Sequence, residues 1–176
     1  MTAVARSAGS APISARGKAR LSAVQAVFQL LQGDDSAGDI VDQFLRFRTA
    51  EGGDAGMARD ADRPFFTALV RGVEADRAVL GGLVEGALAR DWSLARLDRL
   101  MRAVLMTGIH EMKARRDVPA RVILSEYAVI AGQFYQGNEP GFVTSVLDRV
   151  GRQLRPEEFD DQGGDGPAGE AAPKGA

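Results

Sequence analysis

Residues 97–112 constrain this chain more than any other stretch. Leu97, Leu100, Met101, Val104, Leu105, Gly108, Ile109 and Met112 recur at steps of three and four, the period of one helical face. The adjacent pairs Leu100–Met101 and Val104–Leu105 widen that stripe beyond what one neighbour can cover. A helix of this kind belongs at the centre of a bundle, in contact with several others.

The rest of the sequence supplies those neighbours. From Lys18 to Gln32, Val24, Val27, Phe28 and Leu31 form a second stripe, ended by Gly33 and a turn at Asp34-Asp35-Ser36. A short helix follows from about Asp39, with Ile40, Val41, Phe44 and Leu45 on one side. The glycine-rich stretch 50–60 reads as a loop. Asp62 suits the cap of the next helix and Pro64 its first turn, with Phe65, Phe66, Leu69, Val70 and Val73 facing inward. After a break near Gly72 to Asp76, the pattern continues through Val79, Leu80, Leu83, Val84 and Leu88. Beyond the central helix, Lys113, Arg115 and Arg116 place cations where the helix dipole favours them. Pro119 opens a helix with Val122, Ile123, Tyr127, Ile130 and Phe134 inward. Asn138 or Glu139 caps the last one, which carries Pro140, Phe142, Val143, Val146, Leu147 and Val150. No alternating strand pattern competes. The expected fold is all-α, a compact bundle of about seven helices over 16–156. A flexible arm is expected over 1–15 and a disordered, acidic, Gly/Pro-rich tail over 157–176.

Composition narrows the chemistry. The 176 residues are 45% hydrophobic, enough for one core. The absence of cysteine removes disulfides, thiolate nucleophiles and Cys-ligated metals, and a lone histidine, His110, disfavours a metal site or a Ser-His-Asp triad. No phosphate-binding glycine motif occurs. His110 beside Glu111 reads as an acid–base pair or, more plainly, as an interfacial histidine next to a solvated carboxylate. The expectation is a cytoplasmic, non-enzymatic protein without metal or cofactor, and neither end reads as a targeting signal.

Formal charge is only −2, yet it is unevenly spread. Residues 1–20 carry Arg6, Arg16, Lys18 and Arg20 and no acid, whereas 155–176 carry six acids against two cations. Arg16, Lys18 and Arg20 stand at the entrance to the first helix, where free N–H groups and the helix dipole favour phosphate. A solvated helix end reads the same way. Single-stranded RNA also calls for a stacking aromatic, for which Phe142 is the candidate, with core packing as its alternative.

In order along the chain, several motifs resemble the NusB family of transcription antitermination factors. RGKARLSAVQAVFQL (16–30) is similar to its Arg-rich opening and A-x-Q-A-x-aromatic pattern. FTALVRGV (66–73) is similar to its F-x-x-L-x-x-G-V helix. RAVLMTGIHEM (102–112), DVP (117–119) and ILSEYAVIA (123–131) match its central helix, hinge and sixth helix, and GFVTSVLDRV (141–150) its closing signature. The resemblance implies a helical protein that pairs with a small-subunit ribosomal protein of NusE type. The pair binds boxA RNA of ribosomal RNA transcripts and joins a termination-resistant RNA polymerase complex. A homodimer is also compatible with it. By residue, it implies RNA contacts at Arg16, Lys18, Arg20, Asn138 and Phe142. Gly17 and Gly141 stand where the family often has basic residues. It further implies a protein-facing surface at Phe28, Met101 and Arg102, made more apolar by Met101 and Met106. Three phosphate contacts would give a slope of about −2 in log K against log salt. Two other readings compete: a protein-only helical adaptor, and a small helix-turn-helix repressor. The repressor is disfavoured because the helix after Pro119 carries only Arg121 at its start.

Overall fold

The computed structural model describes residues 12–47 and 57–160. Among these, seven α-helices follow one another: α1 (Ala15–Gln32), α2 (Ala37–Arg46), α3 (Arg63–Ala75), α4 (Arg77–Ala87), α5 (Arg99–Ala114), α6 (Ala120–Phe134) and α7 (Glu139–Leu154). Short 3-10 turns sit at Leu94–Arg96 and Pro156–Glu158. The all-helical expectation holds. The expected arm at 1–11, the tip of the glycine-rich loop at 50–56 and the tail beyond 160 lie outside the described residues.

Side-chain caps set several helix starts. The Ser14 hydroxyl accepts from the Gly17 amide at 3.0 Å, so α1 begins at Ala15. Ser36 accepts from the Asp39 amide and donates to its carboxylate, which starts α2 two residues ahead of Asp39. Asp62 caps α3 through the Phe65 amide and Asp98 caps α5 through the Met101 amide. Asn138 occupies the cap position of α7 but makes no side-chain capping bond, and Glu139, the other candidate, accepts instead from the preceding Gly137 amide at 3.0 Å.

As its wide stripe requires, α5 is packed by α1, α3, α4, α6 and α7. Leu105, Ile109 and Met112 have no exposure, and each such burial is worth about 1.5–3 kcal/mol. A second apolar cluster, built from Ile40, Phe44, Phe66, Leu69 and Leu30, joins α1, α2 and α3, with Phe44 stacked on Phe66 at 5.6 Å.

Three expectations about orientation fail. Val79, Val122 and Phe134 are exposed rather than inward: Leu80 and Ile123 take the core-facing positions beside the first two, and Phe134, the last residue of α6, lines an open cleft with Phe28 and Leu100. The ordered body also runs past 156. Phe159 is buried with its ring on Gly151, where an added Cβ would meet it at 2.6 Å, and Glu158 accepts from the Ala120 amide. Residues 157–160 therefore belong to the helical body, not to a tail.

Candidate nucleic-acid interface

The three cations expected to meet phosphate have three different fates. Arg16 is on the surface, its guanidinium 5.4 Å from the Phe65 ring centroid and 3.9 Å from Asp62. Lys18 is half-buried and paired with the exposed Asp60 carboxylate, which it holds below the usual carboxylate pKa range. Arg20 is inside. Only 3% of it is exposed, and its Nε and Nη2 both bond Glu111, at 2.7 to 3.1 Å. The Tyr127 hydroxyl donates to the same carboxylate at 2.9 Å, and Glu126 stands 3.5 Å from the Arg20 Nη1. Burial alone lowers the guanidinium's pKa, but Glu111 more than offsets that and the net shift is upward. Burial, and then Glu111, push the Tyr127 phenol well above its ordinary value.

Arg20 is therefore a correction: it is a core ion-pair partner, not a phosphate contact. Glu111 is likewise fully buried, so the picture of a solvated carboxylate beside His110 is also overturned. Removing one member of such a pair typically costs about 3–5 kcal/mol, because the other is left charged and unpaired. The signal was present in the sequence. Arg20 lies four and seven residues before Val24 and Val27, on the α1 stripe; Glu111 lies three and seven after Gly108 and Val104, on the α5 stripe. Opposite charges on two facing apolar stripes mark a buried pair.

His110 points elsewhere, against Gly72 and toward Asp76, whose Oδ2 lies 3.6 Å from its Nδ1, beyond hydrogen-bonding distance. Burial lowers its pKa more than Asp76 raises it. Arg115, read in the sequence only as a complement to the helix dipole, shares the Phe65 ring with Arg16 at 5.2 Å. It also forks onto Asp117 and holds that carboxyl down to about 2.

The remaining site residues lie at the other end of the molecule. Helix α5 runs antiparallel to α1: Glu111 meets Arg20, while Leu100 shares a cleft with Phe28 and Gln32. Helix α6 returns parallel to α1, with Glu126 near Arg20 and Phe134 in that same cleft. Asn138 follows the end of α6 and is exposed; Phe142 is half-buried on the first turn of α7. Most of the length of α1, about 24 Å from Arg16 to Gln32 at 1.5 Å per residue, thus lies between Arg16 and the end that carries Asn138 and Phe142. The fold brings Arg16 together with Lys18, and Asn138 with Phe142, but does not join the two pairs.

On the side expected to face a protein, Phe28 is half-buried and lines a cleft of about 420 Å³ with Leu100 and Phe134. Arg102 is held by the carbonyls of Leu97 and Ala95. Met101 and Met106 are 4% and 3% exposed, a second correction: they belong to the core and do not make the surface more apolar. Trp92, which the sequence reading did not single out, is 52% exposed, with its ring 6.5 Å from that of Phe142. Among the described residues no helix is long and apolar enough to cross a membrane, and no group of three or more His, Cys, Asp or Glu is placed to hold a metal ion.

Helices ranked around one central helix, a cationic helix entrance at one end and an amide–aromatic patch at the other define a small helical scaffold with two separate polar surfaces. The family model for the NusB family matches residues 17–152, and the chain belongs to that family. It is 42% identical over 144 residues to the "Transcription antitermination protein NusB" of Rhodopseudomonas palustris, covering 82% of this chain and 85% of that one. It is also 44% identical over 142 residues to the protein of that name from Brucella abortus, covering 81% and 83%. A solved structure of T. maritima NusB superposes with a TM-score of 0.65 at 22% identity, covering 86% of this chain and 99% of that one, which supports the same fold.

Proposed function

We propose that this chain is a cytoplasmic transcription antitermination factor. In this reading it binds boxA-type RNA of ribosomal RNA transcripts together with a NusE-type ribosomal protein, and so joins a termination-resistant RNA polymerase complex. The observation that carries the reading is the family match over 17–152 with relatives that bear the antitermination name. Arg16 and Lys18 fix the RNA backbone at the α1 entrance, which positions the strand without specifying it. Phe142 and the exposed Asn138 amide supply stacking and hydrogen bonding to bases at the far end. Phe28 and Arg102 face the ribosomal protein.

The test is fluorescence anisotropy of a labelled boxA-like RNA, with a scrambled RNA beside it, in the presence and absence of the ribosomal protein. Sequence-dependent binding that tightens with the partner is expected, and Arg16→Glu is expected to weaken it about tenfold or more. One observation favours a second reading, the protein-only adaptor. Of the three expected cations, Arg20 is buried and Lys18 is already paired. Binding of the ribosomal protein with no discrimination between the two RNAs would select that reading.

A further inference from the structure

Trp92 needs an explanation. Among the described residues seven large apolar side chains are exposed, and Trp92 stands out because its ring lies beside a second aromatic, Phe142. The segment that carries it is held in place. The Trp92 amide bonds the Ala89 carbonyl at 2.9 Å, and Arg96 reaches back to the Asp91 carbonyl at 2.8 Å. The Arg96 and Leu97 amides close the following 3-10 turn. The ring is therefore presented by a fixed turn, tilted 45° to Phe142 at the start of α7.

The two rings stand as a ridge between two clefts, because both line both. On one side is a cleft of about 410 Å³, with Met101 in its floor and Arg96, Asp98 and Glu139 in its walls. On the other is a cleft of about 290 Å³, floored by Ala87 and Val146 and bordered by Arg149. The first holds carboxylates among apolar surface, a setting that repels a phosphate but accepts the amino groups of a base. Each cleft also has an arginine in its lining, but both are tied to the backbone, Arg96 to the Asp91 carbonyl and Arg149 to that of Ala87, each at 2.8 Å. Flat apolar faces, amine acceptors within and cations beside them suit an unpaired base whose phosphates stay outside.

We propose that Trp92 is a second base-stacking residue, so that two neighbouring unpaired RNA bases lie one on each side of the Trp92–Phe142 ridge. This deepens the RNA reading above and rests on it. The α4–α5 connection thereby becomes part of the nucleic-acid surface, which the family resemblance had placed only on α1 and α7.

Trp92 is the only tryptophan in the chain, so its emission reports this site alone. The full chain is titrated with the same boxA-like RNA, following RNA anisotropy and Trp92 emission together. Quenching that saturates with the anisotropy signal is expected. Trp92→Ala is expected to weaken binding about tenfold, within the range of one lost stacking contact. Trp92→Phe, which keeps a ring, is expected to recover most of that loss, and thermal melts of both variants establish that the fold is kept. An anisotropy change with unmoved emission and an unchanged affinity for Trp92→Ala overturns this inference and leaves the RNA reading standing. Emission that responds to the ribosomal protein alone and ignores RNA assigns the ridge to a protein partner and also overturns it. No anisotropy change, with or without that protein, removes both readings together.

Discussion

Gly72 shows how much a single residue can depend on a neighbour far away in sequence. A Cβ at that position would lie 2.0 Å from His110 Nε2 and 2.2 Å from its Cε1. The imidazole fills the space where a side chain would be, on the seam between α3 and α5. In an open helix, glycine to alanine gains up to about 1 kcal/mol; forcing extra volume into a packed seam costs about 1–3 kcal/mol. Gly72→Ala is therefore expected to lose about 1–2 kcal/mol in urea unfolding. In a His110→Ala background the same change should become neutral or stabilising. Equal losses in both backgrounds would mean the ring is not the cause. The sequence shows a glycine after a helical apolar face, which reads as a break, and nothing in its periodicity reveals that an imidazole from another helix occupies the site. The buried Arg20–Glu111 pair differs: its stripe positions were legible, but a charged residue near a helix start has a strong surface prior and the apolar pattern around it was outweighed.

At the level of elements, the end of α5 depends on a residue that looks ordinary in sequence. Arg155 stands after α7, one arginine among several near a helix end. Its guanidinium is fully buried and donates to the carbonyls of Met112 at 2.8 Å, Arg115 at 2.7 Å and Val118 at 2.6 Å. Those of Met112 and Val118 are carbonyls of the kind a helix C-terminus and the following turn leave open, whereas the Arg115 carbonyl also accepts from the Val118 amide at 3.1 Å. Glu158 completes the arrangement at 3.0 Å and also accepts the first amide of α6. One side chain after α7 thus fixes the α5–α6 hinge. Arg155→Met keeps the volume and removes the donors, and is expected to cost about 3 kcal/mol or more in stability. Arg152→Met, on the same helix but exposed, paired with Asp148 at i−4 and lying over the Phe159 ring at 5.2 Å, should cost about 1 kcal/mol or less. Chemical denaturation of the two variants side by side measures the difference. Helix positions were legible because caps and apolar periods are local signals. This hinge was not, since its donor lies about 40 residues from its acceptors and no local pattern joins them.

Over the whole molecule, chain order misleads about surfaces. Seven helices could be placed in order, and the width of one stripe identified the central one. The same reading assigned Arg16, Lys18, Arg20, Asn138 and Phe142 to RNA without a distance between them, because a list of residues carries no directions. Directions come from pairings such as Glu111 with Arg20 and Phe134 with the second half of α1, and these send the cations to one end and the aromatic–amide patch to the other. An RNA touching both must cross about 24 Å, with charge contacts at one end and stacking at the other. The two ends then respond differently to salt. With Arg20 withdrawn, two phosphate contacts remain from the expected set, and log K should fall with log salt at a slope of about −1.4, at about −0.7 per single-strand contact. Arg16→Gln or Lys18→Gln should each reduce the slope by about 0.7. Phe142→Ala and Trp92→Ala should weaken binding at every salt concentration and leave the slope unchanged, because stacking releases no counterions. Anisotropy titrations across a salt series separate these outcomes. A slope that changes with Phe142→Ala would place phosphate contacts at the aromatic end, and a slope indifferent to Arg16 would remove the α1 entrance from the RNA path.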